Sequence, residues 1–224
     1  MPKHRLRFEK TGTAVYISHL DLMRTFQRGF QRAEISIRHT EGFNPHAFIS
    51  IALPMSVGFS SVCERLDFEC TDQTPLEEIP GLLNAALPDG VRVQACYEAD
   101  RPFRELEYIK YRMTFLYDSG VPEGAAAAIE DLLGQEEILV PKKGKKAGRG
   151  KQEVETNIAP LIRLSHLEMG EEGLLLSAVL RAQEPGLNPR YFIKAMERYA
   201  GAFVPDFVRF HREEVYDCEL QLFR

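Results

Sequence analysis

The chain has 224 residues, 44% hydrophobic and 27% charged, with a formal net charge of −5, enough for one large domain or two small ones with modest cores. No apolar run approaches the ~18 residues needed to span a bilayer, and MPKHRLRFEK lacks the apolar segment of a signal peptide. The four cysteines (Cys63, Cys70, Cys96, Cys218) form no C-x-x-C pair, which points to reduced thiols in a cytoplasmic protein and against an iron–sulfur or structural zinc site held by this chain alone.

HRLRFEK alternates Leu6 and Phe8 with charged neighbours, as a half-buried strand does. Ser18, with Asp21 three residues on, opens a helix over SHLDLMRTFQRGFQRA, and Leu22, Met23, Phe26, Phe30 and Ala33 make its buried stripe. FISIALP and CERLDFEC are two strands joined by MSVGFSS. TPLEEIPGLLNAALP is a second helix, disturbed at its middle by Pro80, and VRVQACYE is a fourth strand.

From about residue 105 the order recurs. YIKYRMTFLY is a strand, and PEGAAAAIEDLLG a helix that stops at Gly134. ILVPK and a strand within IAPLIRLSHLEM follow, separated by a basic loop, and GLLLSAVLRA is the next strand. NPRYFIKAMERYAG is a helix with Asn188 as N-cap and Pro189 at its first position, and FVRFHREEVYDCEL closes the chain. The expected fold class is therefore α+β, two tandem ferredoxin-like βαββαβ domains with antiparallel sheets, residues 1–100 and 105–224.

The net charge conceals two basic islands. Residues 1–46 hold eight Lys/Arg against four Asp/Glu and four of the six histidines, and PKKGKKAGRGK at 141–151 holds six basic residues and no acid. Such islands suit a confined polyanion site, although charge alone does not decide. Arg24, Arg28 and Arg32 recur every four residues, with Gln27 and Gln31 flanking them, so one polar stripe of the first helix is able to track phosphates; a solvated face is the competing reading. In GFNPHAF, Gly42 permits positive φ and Pro45 holds Asn44 extended, which makes a stiff turn projecting Phe43 and His46. Phe43 would stack on a base and His46 contact a phosphate or act as acid or base, unless Phe43 tucks into the core and His46 satisfies the backbone. Lys142, Lys143, Lys145, Lys146, Arg149 and Lys151 of the 141–151 loop either order on an acidic partner or only solubilise a hairpin.

The sequence assigns no catalytic residue; His19, His39 and His46 are candidates for general acid or base catalysis. Their spacing matches no compact ligand motif, so no metal site is expected. The phosphate-cradling and nucleophile-elbow motifs are absent, as is the aromatic strand of an RNA-recognition module. No cofactor is expected, and a role without catalysis of its own is favoured. The Gly-Leu-Asn-Pro-Arg-Tyr-Phe at 186–192 echoes Gly-Phe-Asn-Pro-His-Ala-Phe, but it precedes a helix instead of a strand and is not a repeat.

YISHLDLMRTFQRGFQRA, EGFNPHAFISIALPMSVGFSS with ERLDFE, and the Lys-rich loop before ETNIAPLI resemble the bacterial radical-SAM-linked domain of unknown function, over nearly the whole chain. That domain occurs alone or joined to the C-terminus of a radical-SAM, cobalamin-binding-type protein, often encoded near ribonuclease G and ribosomal-protein genes. The resemblance implies an accessory to a radical-SAM partner that acts on tRNA or rRNA, and carries over no known activity. The chain has no C-x-x-x-C-x-x-C, so any such cluster belongs to the partner. A more distant architectural likeness, to CRISPR-repeat endonucleases with tandem ferredoxin-like domains, raises RNA binding. The leading expectation is an RNA-binding or substrate-presenting module. The alternatives are a histidine-dependent RNA-processing endonuclease and a protein-interaction subunit docking on the radical-SAM protein.

Overall fold

The computed structural model describes residues 3–43, 45–143 and 153–224, without the side chain of Lys143. The chain is α+β, with four α-helices among the described residues and strands that pair antiparallel, except where β10 meets β3. None of those helices is long and apolar enough to cross a membrane. Two compact units form. The first comprises residues 1–106 and 211–224, the second residues 107–210, so the last fourteen residues of the chain return to the unit that holds its start.

The first unit runs β1 (His4–Lys10), α1 (His19–Arg32), β2 (Ile49–Ile51), β3 (Ser60–Phe68), α2 (Ile79–Ala86) and β4 (Val91–Glu98). β1 lies between β3 and β4, with Leu6 opposite both Leu66 and Cys96, while Ile49–Ile51 pair with Leu66–Phe68. Leu6, Phe8, Leu66, Phe68, Val91 and Val93 pack with Leu22, Phe26 and Phe30 of α1 and Ile79 and Leu83 of α2. The apolar stripe of α1 dictates that face. Gly29 sits where the two helices meet, since a Cβ there would approach Leu87 Cδ2 to 2.9 Å.

The other face of β1 departs from the half-buried strand expected. Arg5 is fully buried. Its Nε and Nη2 donate to the two carboxylate oxygens of Asp67 at 2.6 and 2.9 Å, and its Nη1 and Nη2 donate to the carbonyls of Arg224 and Arg101, each at 2.7 Å. The guanidinium also lies 4.4 Å from the ring centre of Phe103 and 5.0 Å from that of Phe223. Arg7 stands opposite Arg65, a like-charge pairing that is unfavourable alone; Glu214 accepts from both, at 3.0 and 3.2 Å. The returning segment thus covers with matched charge a face that alternation alone assigns to water.

Three local differences have plain causes. Pro80 stands in the first turn of α2, where its missing N–H is no loss, and does not disturb a middle. In the second unit, β5 (Tyr108–Leu116), α3 (Ala125–Leu133), β8 (Ile162–Met169), β9 (Leu174–Arg181) and α4 (Tyr191–Tyr199) are joined by a hairpin of β6 (Leu139–Lys143) and β7 (Glu153–Asn157). β7, a short polar stretch without alternation, was not expected as a strand. Asn188 caps the turn before α4, its Oδ1 accepting from the Arg190 N–H at 3.0 Å, and α4 itself begins at Tyr191. β9 lies between β5 and β8, and β10 (Phe207–Tyr216) leads back to the first unit, where His211 and Arg212 run parallel to Ser60 and Ser61.

Candidate nucleic-acid interface

Helix α1 is fixed at its start by its own sequence. Ser18 Oγ accepts from the Asp21 N–H at 3.2 Å and lies 2.7 Å from the Asp21 carboxylate. These contacts, with Arg24 at 3.1 Å, hold the Asp21 carboxyl below its ordinary value, Ser18 contributing most. Arg24 therefore has an acidic partner within its own helix. Arg28 and Arg32 are exposed and have no ion-pair partner among the described residues. Both border a hollow of about 290 Å³ with Thr25 and residues 86–88 at the end of α2.

Gly42, Phe43, Pro45 and His46 of the GFNPH motif belong to the tip of a closed turn. His39 and Ala47 form an antiparallel bridge. Inside it the Thr40 N–H donates to the His46 carbonyl at 2.9 Å, and the His46 N–H donates to Thr40 Oγ1 at 3.1 Å. Outside it the Phe48 N–H donates to the Arg38 carbonyl at 2.7 Å, and the Arg38 N–H to that of Glu69 at 2.8 Å. The Arg38 guanidinium pairs with Glu69 at 2.9 Å, and this hydrogen bond, ahead of the bare charge, holds the Glu69 carboxyl down. Gly42 adopts φ 125°, a region that L side chains rarely enter. Phe43, at the tip, has a relative exposure of 111%. The alternative in which Phe43 tucks into the core is thereby set aside.

Between this turn and the C-terminal half of α1 lies a groove of about 740 Å³, lined by Gln27, Phe30, Gln31, residues 34–37, His39, Pro45, His46 and Ala47. Phe30, Ile35, Ile37 and Ala47 are buried and give it an apolar floor. Its rim is polar. His39 Nδ1 lies 3.0 Å from the Ile37 carbonyl; a carbonyl only accepts, so this contact puts the proton on Nδ1 and leaves Nε2 of the neutral ring an acceptor. His46 Nδ1 lies 3.3 Å from Thr40 Oγ1. Ser36 is anchored by its N–H, which donates to Asp72 Oδ2 at 2.5 Å.

Residues 3–189 match the family described as uncharacterized protein conserved in bacteria (DUF2344). The chain belongs to that family. No curated protein matches it. Among solved structures, a crystal structure of a Cbf5-Nop10-Gar1 complex has a TM-score of 0.48 and 11% identity, over 95% of this chain and 48% of that one, so this chain spans about half the length of that one.

In this DUF2344 chain the expected site residues divide. His39 and His46 border one groove, with Phe43 at the tip of the same turn, whereas Arg28 and Arg32 border the separate hollow. His19 opens α1, eight residues before Gln27, which at 1.5 Å per residue is about 12 Å along the axis. It does not line the groove with His39 and His46. In the second unit, Lys142 Nζ donates to the Gly186 carbonyl at 2.7 Å and sits 5.9 Å from the Tyr191 ring centre. Lys143 pairs through its backbone with Glu153. Lys145, Lys146, Arg149 and Lys151, and Asn44 of the turn, lie outside the described residues. Among the described residues no three His, Cys, Asp or Glu side chains are grouped to hold a metal.

Sequence reasoning did not find Ser36 or the Ile35 and Ile37 floor. No local pattern marks them, because the segment is set against the groove largely by contacts with residues 70–72, far along the chain: Ile37 pairs with Cys70, and Ser36 bonds to Thr71 and Asp72. A second hollow of about 510 Å³, lined by Phe48, Phe68, Phe103, Lys3, Asp67 and Asp100 among others, was likewise invisible in the sequence.

Proposed function

We propose that this protein is an RNA-binding or substrate-presenting module that works with a radical-SAM enzyme in RNA modification. One observation carries the RNA part: a phenylalanine held wholly in water at the tip of a hydrogen-bonded turn, beside a groove rimmed by imidazole and amide groups. An exposed aromatic ring presents an apolar face on which a nucleobase can stack. Arg28 and Arg32, in no ion pair among the described residues, supply charge for phosphates. The radical-SAM partnership rests on the likeness of the SHLDLMR and GFNPH motifs. We read each unit as a ferredoxin-like βαββαβ module; the β4-β1-β3-β2 order of the first supports this, and the β6–β7 hairpin is then an insertion in the second.

Binding of tRNA and ribosomal RNA fragments across a salt series, read by fluorescence anisotropy, tests the proposal. Affinity falls with salt, and Arg28→Ala with Arg32→Ala flattens the log–log slope by about 1.4, at ~0.7 per phosphate contact on a single strand. Phe43→Ala weakens binding by about 1–3 kcal/mol, the worth of one base–aromatic stack. An absence of binding to every RNA at low salt sinks the proposal and leaves the turn as a protein-docking element.

A second reading has its own support, because His39 and His46 border the same groove. Two imidazoles flanking an RNA backbone can share general acid and base roles in cleavage. Discrete RNA products that disappear with His46→Ala would establish it.

A further inference from the structure

We infer that the groove between α1 and the 39–47 turn takes one unstacked nucleobase of single-stranded RNA and reads its edge through Gln27 and Gln31. The inference rests on the RNA-binding reading above and names what enters the groove.

The lining selects the ligand. Its volume of about 740 Å³ falls within the ~300–1,000 Å³ of sites that enclose small ligands. Phe30, Ile35 and Ile37 form an apolar floor, suited to the face of a planar ring. Around it stand the amides of Gln27 and Gln31, the hydroxyl of Ser36 and the imidazole of His39. Among the described residues neither glutamine amide, nor the Ser36 hydroxyl, makes a protein hydrogen bond, so their donors and acceptors are free for a ligand. Each amide offers both kinds, as the Watson–Crick edge of every base requires.

The same lining disfavours other occupants. It contains no Lys or Arg and includes Glu34, so a phosphate would meet an acid and no cation. A purely apolar ligand would strip water from the amides without replacing their hydrogen bonds. Phosphate instead suits the neighbouring stripe. Arg28 and Arg32 follow Gln27 and Gln31 by one residue each, about 100° round the helix. A strand crossing α1 therefore sets its backbone on the arginines while one base turns into the groove, with Phe43 free to stack on the base beside it.

The test compares a short oligouridylate with an abasic ribose-phosphate oligomer of equal length, on wild type and on the Gln27→Ala, Gln31→Ala variant. Gln31 is exposed and Gln27 half-buried, neither belongs to the apolar core, and alanine is a better helix former, so the variant folds. The double change weakens oligouridylate binding roughly 10-fold or more, as loss of two neutral hydrogen bonds implies, and leaves abasic binding unaltered. If the variant binds oligouridylate as wild type does, or loses both oligomers equally, the base site is overturned while RNA binding stands. If wild type binds neither oligomer, nor any tRNA or ribosomal RNA fragment, the RNA reading itself falls, and the base site with it.

Discussion

Removing the carboxylate of Asp67 isolates a charge that the fold has buried. The Arg5 side chain has no solvent exposure, and that of Asp67 only 11%. Arg5 makes four hydrogen bonds, two to Asp67 and one each to the carbonyls of Arg101 and Arg224. Asp67→Ala leaves the carbonyl bonds but strips Nε of its partner and the guanidinium of its counter-charge. Breaking a buried pair on one side costs about 3–5 kcal/mol. At ~2–4 °C per kcal/mol for a chain of this size, Tm drops by about 6–20 °C. Thermal unfolding by circular dichroism or calorimetry reads this directly. Replacing both partners, Arg5→Met with Asp67→Leu, removes the stranded charge and recovers part of the loss, limited by the two carbonyls left without a donor. A drop for Asp67→Ala below about 2–4 °C, equivalent to 1 kcal/mol, or a double variant less stable than the single one, would refute the reasoning.

The cysteines and one aspartate give two more expectations. Burial pushes the thiols of Cys63 and Cys96 up to about 12, and burial ahead of the nearby Asp72 raises that of Cys70, whereas Cys218 is exposed. Alkylation at mildly alkaline pH then gives one adduct by intact mass on the native protein and four in urea; fast native modification of Cys63 would contradict the burial. Burial raises Asp72, but hydrogen bonds from the Thr74 hydroxyl, the Ser36 N–H and the Cys70 thiol outweigh it and hold the carboxyl well below its ordinary 3.8. A depressed folded value means that Asp72 stabilises the fold above 3.8 and that this contribution is lost as pH falls through the folded value. The stability difference between wild type and Asp72→Asn, from urea unfolding midpoints, therefore narrows on acidification below 3.8; a constant difference would show that Asp72 is not the group responsible.

Much of the first unit was legible. Ser18 and Asp21 mark the start of α1, and the recurrence of Leu22, Phe26 and Phe30 marks its buried face, because both effects act within a few residues. The positive φ of Gly42 was legible for the same reason. Its consequence was not, since the sequence left Phe43 equally able to tuck inward. β7 was missed because Glu153–Asn157 carries no alternation of its own and becomes a strand only through pairing with β6. Pro80 was misplaced by one turn, as helix ends depend on what the first residues pack against.

The candidate site shows the same division. The arginine stripe and the histidines were found by residue type and spacing, yet the structure puts His39 and His46 on one groove and Arg28 and Arg32 on a neighbouring hollow. The reason is angular: residues one position apart on α1 face directions about 100° apart. His19 was grouped with them by residue type, although about two turns of α1 separate it from the groove.

By itself the sequence determined the amphipathic α1, the capped start of that helix and the positive φ at Gly42, all of which arise from interactions between near neighbours. Only the tertiary structure decided that Arg5 is buried on Asp67, 62 residues away, beneath a chain end 219 residues away, and that the turn and α1 enclose a groove between them. Those outcomes depend on pairings between segments far apart in the chain, and charge alternation reads the same whether a strand face meets water or a matching layer of opposite charge.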